Sequence, residues 1–82
     1  MATLIVNTPA LNFRSEPVVA NETLIGTVYL GQRVTRARPA DEEGWYQCNA
    51  VIEGEEVSGF VSGRFLRERL TKNRERLVAS VH

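Results

Sequence analysis

The sequence has very few residues of the kinds that bind metals or form disulfides. Its only cysteine is Cys48, and its only histidine is the last residue, His82. One cysteine cannot form an internal disulfide, and one cysteine with one histidine is too few for a structural zinc site. A metal site would need carboxylates alone, and the acidic residues are not grouped in that way. We therefore expect neither a metal nor any other cofactor.

Long hydrophobic segments are also missing from the sequence. No apolar run approaches the ~20 residues that span a bilayer. The first residues have neither the basic start nor the long apolar stretch of an export signal. No membrane partner is expected. Two interpretations of location stay open: a cytoplasmic protein, or an extracellular domain of a longer protein that has its own targeting signal.

Neither sign of charge dominates, since ten Lys and Arg residues balance ten Asp and Glu residues. The charges are unevenly spread: residues 41–56 include six acidic and no basic residues, whereas residues 64–76 include six basic and two acidic residues. A solvated hairpin tip and a solvated helix face explain this pattern more simply than a charged partner does. A nucleic-acid surface formed by Arg36, Arg38 and the C-terminal residues is the weakest interpretation, and zero net charge argues against it.

The chain of 82 residues is long enough for one domain with a single small core. Apolar and polar residues alternate around Leu11 and Phe13, which is the period of a half-buried strand. Gly54 is expected to form the turn of the last hairpin. Short strands at close spacing are typical of a small β-barrel or sandwich. The predicted strands are residues 4–6, 11–14, 24–29, 34–38, 45–52 and 57–61. The residues expected to face the core are Leu11, Phe13, Ile25, Val28, Val34, Tyr46, Cys48, Val61 and Leu66.

The C-terminal residues have a different pattern, which predicts a helix. Thr71 fits the N-cap position of a helix over residues 72–80. A helix of this length is marginal alone, so we expect it to dock on the rest of the chain or to continue into a neighbouring domain. Its apolar stripe is formed by Leu70, Leu77, Val78 and Val81.

Five segments resemble, in order and at similar distances, the motifs of the bacterial Src-homology-3-like family. Residues 10–17 read Ala-Leu-Asn-Phe-Arg-Ser-Glu-Pro, residues 24–28 Leu-Ile-Gly-Thr-Val, and residues 30–34 Leu-Gly-Gln-Arg-Val. Residues 44–48 read Gly-Trp-Tyr-Gln-Cys, and residues 59–66 read Gly-Phe-Val-Ser-Gly-Arg-Phe-Leu. Each segment alone is weakly specific, whereas five in the family's order are a strong signal.

The resemblance covers residues 3–67 and implies an all-β fold, a small Src-homology-3-like barrel of five to seven short strands; the pattern of the C-terminal residues adds a helical tail. We therefore expect a bacterial Src-homology-3-like domain over residues 3–70 and a helical tail or linker over residues 71–82. Three departures from the family pattern bear on the ligand more than on the fold. They are Glu16 in place of a glycine, Gln47 in place of a lysine, and a longer, more acidic hairpin at residues 51–57.

No arrangement typical of catalysis is found in the sequence. Cys48 occupies a position where the family has valine, so we interpret it as a small buried hydrophobic residue rather than a nucleophile. Glu55 and Glu56 lie at an exposed hairpin tip rather than in a cleft. A phosphate-binding glycine motif is also missing. The sequence therefore predicts a protein that is not an enzyme.

The family resemblance also implies a ligand site. In the eukaryotic domains after which the family is named, an aromatic groove holds an extended peptide. Trp45 stands at the position of the groove tryptophan and Phe65 at that of a groove tyrosine, whereas Asn12 and Arg14 replace two other tyrosines. Without those two rings the site lacks the slots that hold a polyproline helix, which favours a short polar or glycine-containing peptide. Packing alone explains Trp45 about as well as ligand binding does.

Two functions of different classes follow from the resemblance. In the first, the chain is a non-catalytic binding or targeting module, part of a larger protein, that recognises peptidoglycan, cell-wall peptide or another short polar peptide. In the second, it is a structural module that packs on a neighbouring domain of the same chain or mediates protein–protein contact in the cytoplasm. The basic C-terminal residues and the acidic hairpin favour the second, because complementary charges fix the register of domains.

Overall fold

The computed structural model describes residues 2–68, which form seven short β-strands. Two one-turn 3-10 helices, Asn21–Thr23 and Gly63–Phe65, precede the third and the seventh strand. The described part of the chain is therefore all-β, as the sequence predicts. The helical tail expected over residues 71–82 lies outside the described residues. The strands are β1 (Ala2–Val6), β2 (Ala10–Arg14), β3 (Leu24–Tyr29), β4 (Arg33–Pro39), β5 (Trp45–Ile52), β6 (Glu55–Ser62) and β7 (Leu66–Glu68).

All neighbouring strands are antiparallel and form one sheet in the order β3-β2-β6-β5-β4-β1-β7. The hairpin of β5 and β6 has the longest ladder and ends with Ile52 opposite Glu55. Its turn consists of Glu53, with a φ of 50°, and Gly54, with a φ of 84°. Two successive residues with positive φ form the tight turn that matches the twist of the strands. The turn predicted at Gly54 is therefore confirmed.

The sheet is strongly bent, so that strands that are not neighbours within it come into contact. β3 and β5 are separated by two strands, yet a methyl group added at Gly26 would lie 2.7 Å from Cγ2 of Ile52. Register shifts in the β2–β3 and β4–β5 ladders accompany the bend, and such bulges increase the local twist. Glycine at position 26 allows the two strands this close approach.

The inner face of the bent sheet encloses one hydrophobic core. Phe13 is its largest fully buried side chain. The Phe13 ring lies against Gly59, where an added methyl group would be 2.5 Å from Cε2. The ring therefore fills space that a side chain on β6 would otherwise need. The other members of the core, drawn from β1 to β6, are Val6, Leu11, Val28, Val34, Ala37, Cys48, Ala50, Ile52 and Val61.

Most of the predicted core residues face the core. Leu11, Phe13, Val28, Val34, Cys48 and Val61 are buried, and Tyr46 and Leu66 are half-buried against the core. The prediction for Ile25 is wrong, because this side chain is 38% exposed. Ile25 is three residues from the buried Val28, and residues an odd number apart in a strand point to opposite faces. Gly26, not Ile25, shares the inner face with Val28.

Candidate functional site

A cavity of about 570 Å³ lies between β2, the start of β5 and the 3-10 helix before β7. All four residues predicted to bind ligand line this cavity: Asn12, Arg14, Trp45 and Phe65. A concave site of this volume falls in the range of small-ligand sites. The structure thus brings together residues that are far apart in the sequence. The other lining residues are Ala10, Leu11, Val19, Glu43, Gly44, Ser62 and Arg64.

The wall formed by β2 follows from the alternation of its side chains. Leu11 and Phe13 are buried in the core, whereas Asn12 between them is exposed. Asn12 and Arg14 are two residues apart and therefore lie on the same face of the strand. The alternation that identifies β2 in the sequence thus places an amide and a guanidinium next to each other on the cavity wall.

Trp45 is the first residue of β5, and a tight turn fixes its backbone. Gly44, directly before it, has a φ of 86°, which residues with a side chain rarely adopt. The N–H of Trp45 donates to the carbonyl of Glu42 at 3.2 Å, and its own carbonyl accepts from the N–H of Ala40 at 2.8 Å. The half-buried indole lines the cavity from this fixed position.

The 3-10 helix before β7 lies directly against the start of β5. The N–H of Gly63 donates to the carbonyl of Gly44 at 2.9 Å. A methyl group added at Gly63 would lie 2.5 Å from Cδ1 of Tyr46, so a side chain at this position would push the helix away from the strand. This close packing positions the helix beside Trp45.

Phe65 is the last residue of that 3-10 helix. Its carbonyl accepts a hydrogen bond from the N–H of Asn7 at 2.7 Å, and its half-buried ring packs against the core. The guanidinium of Arg64 lies over the ring, with Cζ 5.1 Å from the ring centroid. This distance is within the range of a cation–π contact, which holds the Arg64 side chain near the cavity.

Arg14 is bonded to the loop between β2 and β3 as well as lining the cavity. Its Nη1 donates to the carbonyl of Ala20 at 2.7 Å and to Oγ1 of Thr23 at 3.1 Å. The Thr23 hydroxyl lies 2.7 Å from the carbonyl oxygen of Val18 and 2.9 Å from that of Ala20, and its single proton goes to one of them at a time. The sequence did not reveal this structural contact, because the loop has no periodic pattern.

The sequence interpretation missed two charged residues of the cavity, Glu43 and Arg64. Glu43 precedes Trp45 by two residues, and Arg64 precedes Phe65 directly. The family's groove positions correspond to Trp45 and Phe65 in this sequence, and they do not include the neighbouring residues. The sequence had one feature that could have identified both as cavity residues: each lies in a turn, within two residues of a motif aromatic.

Cys48 lies in the core and is 1% exposed, so its predicted burial is confirmed. Burial raises the pKa of its thiol from 9.0 to about 12. Because the thiolate is the nucleophilic form, this thiol is unreactive near neutral pH. His82 lies outside the described residues. Within residues 2–68, no group of three or more His, Cys, Asp or Glu side chains is placed to hold a metal ion.

A second, smaller cavity of about 350 Å³ lies beside the paired ends of β4 and β5. Arg38, one of the two strand arginines considered for nucleic-acid binding, donates from Nη2 to Oε1 of Gln47 at 2.7 Å there. Asp41 and Glu42 line the same cavity, so its wall has charges of both signs. Arg36 lies at the register shift of β4 with a φ of 52° and lines neither of the two cavities.

Among the residues that the structure describes, no helix is long and apolar enough to cross a membrane. Comparison of the chain with models of protein families, with curated proteins and with solved structures gives no match. The residues that line the larger cavity are therefore the basis for assigning a function.

Proposed function

We propose that the chain is a non-catalytic binding module of the bacterial Src-homology-3-like type, whose larger cavity binds a short polar peptide such as a cell-wall peptide. The observation that supports this most is that Asn12, Arg14, Trp45 and Phe65 line one cavity. The family motifs name these residues, which come from three separate segments of the sequence. Their meeting is therefore not a consequence of being neighbours along the chain.

The proposal requires a small barrel, and three features of the fold favour one. The sheet bends far enough for β3 to touch β5 across two intervening strands. One core contains side chains from six of the seven strands. The five family motifs coincide with β2, β3, the turn before β4, the start of β5, and the segment from β6 to β7.

The chemistry of the cavity suits a short polar peptide. Trp45 and Phe65 supply flat apolar surfaces, while the Asn12 amide has both a donor and an acceptor for a peptide backbone. A volume of about 570 Å³ holds a few residues rather than a long chain. One aromatic platform with few polar contacts gives weak binding, and weak modules reach useful retention when they are tethered in a larger protein.

A second candidate function has one observation in its favour. β3 is an end strand of the sheet, and its exposed apolar side chains include Leu24, Ile25 and Tyr29, which are 47%, 38% and 60% exposed. Apolar side chains grouped on a surface are typical of contact with another protein surface. On this alternative the chain is a structural module that packs on a neighbouring domain and binds no free ligand.

Co-sedimentation with insoluble bacterial peptidoglycan tests the proposal, with unbound protein measured in the supernatant. Two matched variants remove an aromatic side chain inside and outside the cavity: Trp45→Ala and Tyr29→Ala. We expect the parent chain and Tyr29→Ala to sediment with peptidoglycan and Trp45→Ala to stay in the supernatant. The thermal midpoint of each variant, measured in parallel, separates lost binding from lost folding.

Titration with soluble stem peptides, followed by the fluorescence of Trp45, extends the test to free ligands, since this is the chain's only tryptophan. We expect the fluorescence of Trp45 to change saturably, with a dissociation constant in the millimolar range or below. If neither peptidoglycan nor stem peptides bind, the peptide-binding proposal fails. If Tyr29→Ala also reduces association with a longer form of the protein, the packing module is the better description.

A further inference from the structure

The larger cavity has more positive than negative charge on its wall. Its charged lining residues are Arg14, Arg64 and Glu43. Arg14 bonds to two neutral oxygens, the Ala20 carbonyl and the Thr23 hydroxyl, and Arg64 lies over the neutral Phe65 ring. Within residues 2–68, the structure pairs neither guanidinium with a carboxylate. Among the described residues, the cavity therefore has two arginines without a carboxylate partner and one carboxylate, Glu43, on its wall.

The Arg14 side chain in this wall is buried and hydrogen-bonded, unlike a solvent-exposed surface arginine. It is 8% exposed, and its hydrogen bonds to the loop use Nη1. Every side-chain nitrogen or oxygen that is fully buried within residues 2–68 has a hydrogen-bond partner. Any guanidinium nitrogen of Arg14 that makes no such bond is therefore not fully buried, and the larger cavity is the concave surface that Arg14 lines. A fixed guanidinium loses little side-chain entropy when it binds a ligand.

Arg64 provides the second cation from a different segment of the lining, the 3-10 helix that precedes β7. Its stacking on Phe65, 5.1 Å from the ring centroid, restrains an otherwise exposed side chain. An arginine fork that is restrained in this way matches the planar shape of a carboxylate, which it binds through two parallel hydrogen bonds.

We propose that the larger cavity is specific for peptides with a single carboxylate, held by Arg14 and Arg64. This inference rests on the proposed function and names the chemical class of its ligand. Glu43 on the same wall limits the net positive charge of the cavity and repels a second negative group. A monoanionic carboxylate therefore fits the charge of the wall better than a dianionic phosphate does.

The test compares three short peptides by the amide and indole shifts of the isotopically labelled chain of 82 residues. The probes are N-acetyl-triglycine with a free carboxylate, the same peptide as its C-terminal amide, and N-acetyl-Gly-Glu-Gly amide. We expect the free acid to bind about tenfold more tightly than the amide, which is the usual effect of one charge-assisted hydrogen bond. Equal binding of the Glu-containing amide would show that the site accepts a side-chain carboxylate as well as a terminal one, and weaker binding would show that it prefers the terminus; both results support the inference.

Variants identify the residue responsible. Arg64→Gln should reduce affinity for the free acid about tenfold and leave affinity for the amide unchanged. The matched control is Arg33→Gln, which removes an exposed arginine of β4 that does not line the cavity; this variant should bind like the parent chain. Glu43→Gln should raise affinity for the free acid by up to about fivefold, because a repelling charge is removed.

Two outcomes overturn the inference in distinguishable ways. If the free acid and the amide bind the cavity with equal affinity, or if Arg64→Gln and Arg33→Gln lower affinity equally, carboxylate recognition is wrong while the peptide-binding proposal stands. If neither peptide perturbs the residues of the cavity and peptidoglycan also fails to bind, the inference and the proposed function are both wrong.

Discussion

Nη1 of Arg14 donates a hydrogen bond to Oγ1 of Thr23 at 3.1 Å across the loop that joins β2 to β3. These two residues are the buried polar side chains among residues 2–68, at 8% and 7% exposure. The N–H of Ser15 also donates to the carbonyl of Thr23 at 2.7 Å. The two ends of the loop are thus joined by backbone and side chain together, and Val19 within the loop lines the cavity. Loop order and cavity shape therefore depend on the same pair.

Replacing Thr23 by valine should destabilise the chain by about 1–3 kcal/mol, because a buried guanidinium loses a partner. The loop should also open, which would increase hydrogen exchange at the amide of Ser15. Thr23→Ser keeps the hydroxyl and serves as the control. Urea unfolding of both variants measures the cost. A Thr23→Val free energy of unfolding within about 0.5 kcal/mol of the parent would show that the contact contributes little.

Phe13 and Ile25 test which residues form the core. Phe13→Ala should lower the free energy of unfolding by about 3–5 kcal/mol, since a fully buried ring leaves a cavity. Ile25→Ala removes a side chain that is 38% exposed and should cost less than about 1 kcal/mol. Thermal or urea unfolding compares the two. Equal losses would mean that the assigned facing of β2 or β3 is wrong.

Gly59 tests the close packing of β6 on the Phe13 ring. An added methyl group would lie 2.5 Å from Phe13 Cε2 and 2.5 Å from the carbonyl oxygen of Arg14. Because one neighbour is backbone, Gly59→Ala should be destabilising by about 1–3 kcal/mol. Ser58→Ala, at the neighbouring exposed position, should change stability by less than about 0.5 kcal/mol. An unchanged melting temperature for Gly59→Ala would indicate a looser contact than the structure has.

The burial of the Cys48 thiol should lower the stability of the folded chain at alkaline pH. Burial raises the pKa of the folded-state thiol from 9.0 to about 12. Above pH 9 the unfolded chain releases the thiol proton while the folded chain keeps it, so the free energy of unfolding falls as pH rises. The slope from this group is about 1.4 kcal/mol per pH unit between the two pKa values. Below pH 9 the thiol is protonated in both states and contributes no slope.

Other groups titrate in the same pH range, so the Cys48→Ala variant provides the comparison. It should have a constant offset from the parent below pH 9 and a shallower decline above it. Urea unfolding at several pH values from about 8 to 11 measures both curves. Parallel curves over the whole range would show that the thiol titrates alike in the folded and unfolded chain.

Much of the fold could be predicted from the sequence, because apolar and polar residues alternate in β2 and the hairpin of β5 and β6 has a turn that needs Gly54. The prediction is less accurate where a bulge changes the period. Val34 and Ala37 are three residues apart and both buried, since the register shift around Arg36 reverses the facing between them. The alternating sequence pattern of β4 does not indicate this shift. Ile25 is a different case: alternation from Val28 places Gly26 on the inner face, and glycine has no apolar side chain to mark that face.

The candidate site was predictable to the extent that the family motifs name single positions. Asn12 and Arg14 stand at two groove positions of the family, and Trp45 follows from the Gly-Trp pair that starts β5. The charges of Glu43 and Arg64 were missed because they lie in turns, where facing depends on backbone geometry rather than on period. The side-chain hydrogen bonds of Arg14 could not be predicted from the sequence either, because they depend on how the loop folds back on β2.

The most direct test of the account is to map where a peptide binds, by the amide and indole shifts of labelled protein during titration with soluble peptidoglycan fragments. Binding at the larger cavity predicts saturable shifts at Asn12, Trp45 and Phe65 and no shifts at Gln47 or Phe60 of the smaller cavity. Shifts confined to the exposed strand β3, or none at millimolar peptide, would contradict a peptide site at Trp45.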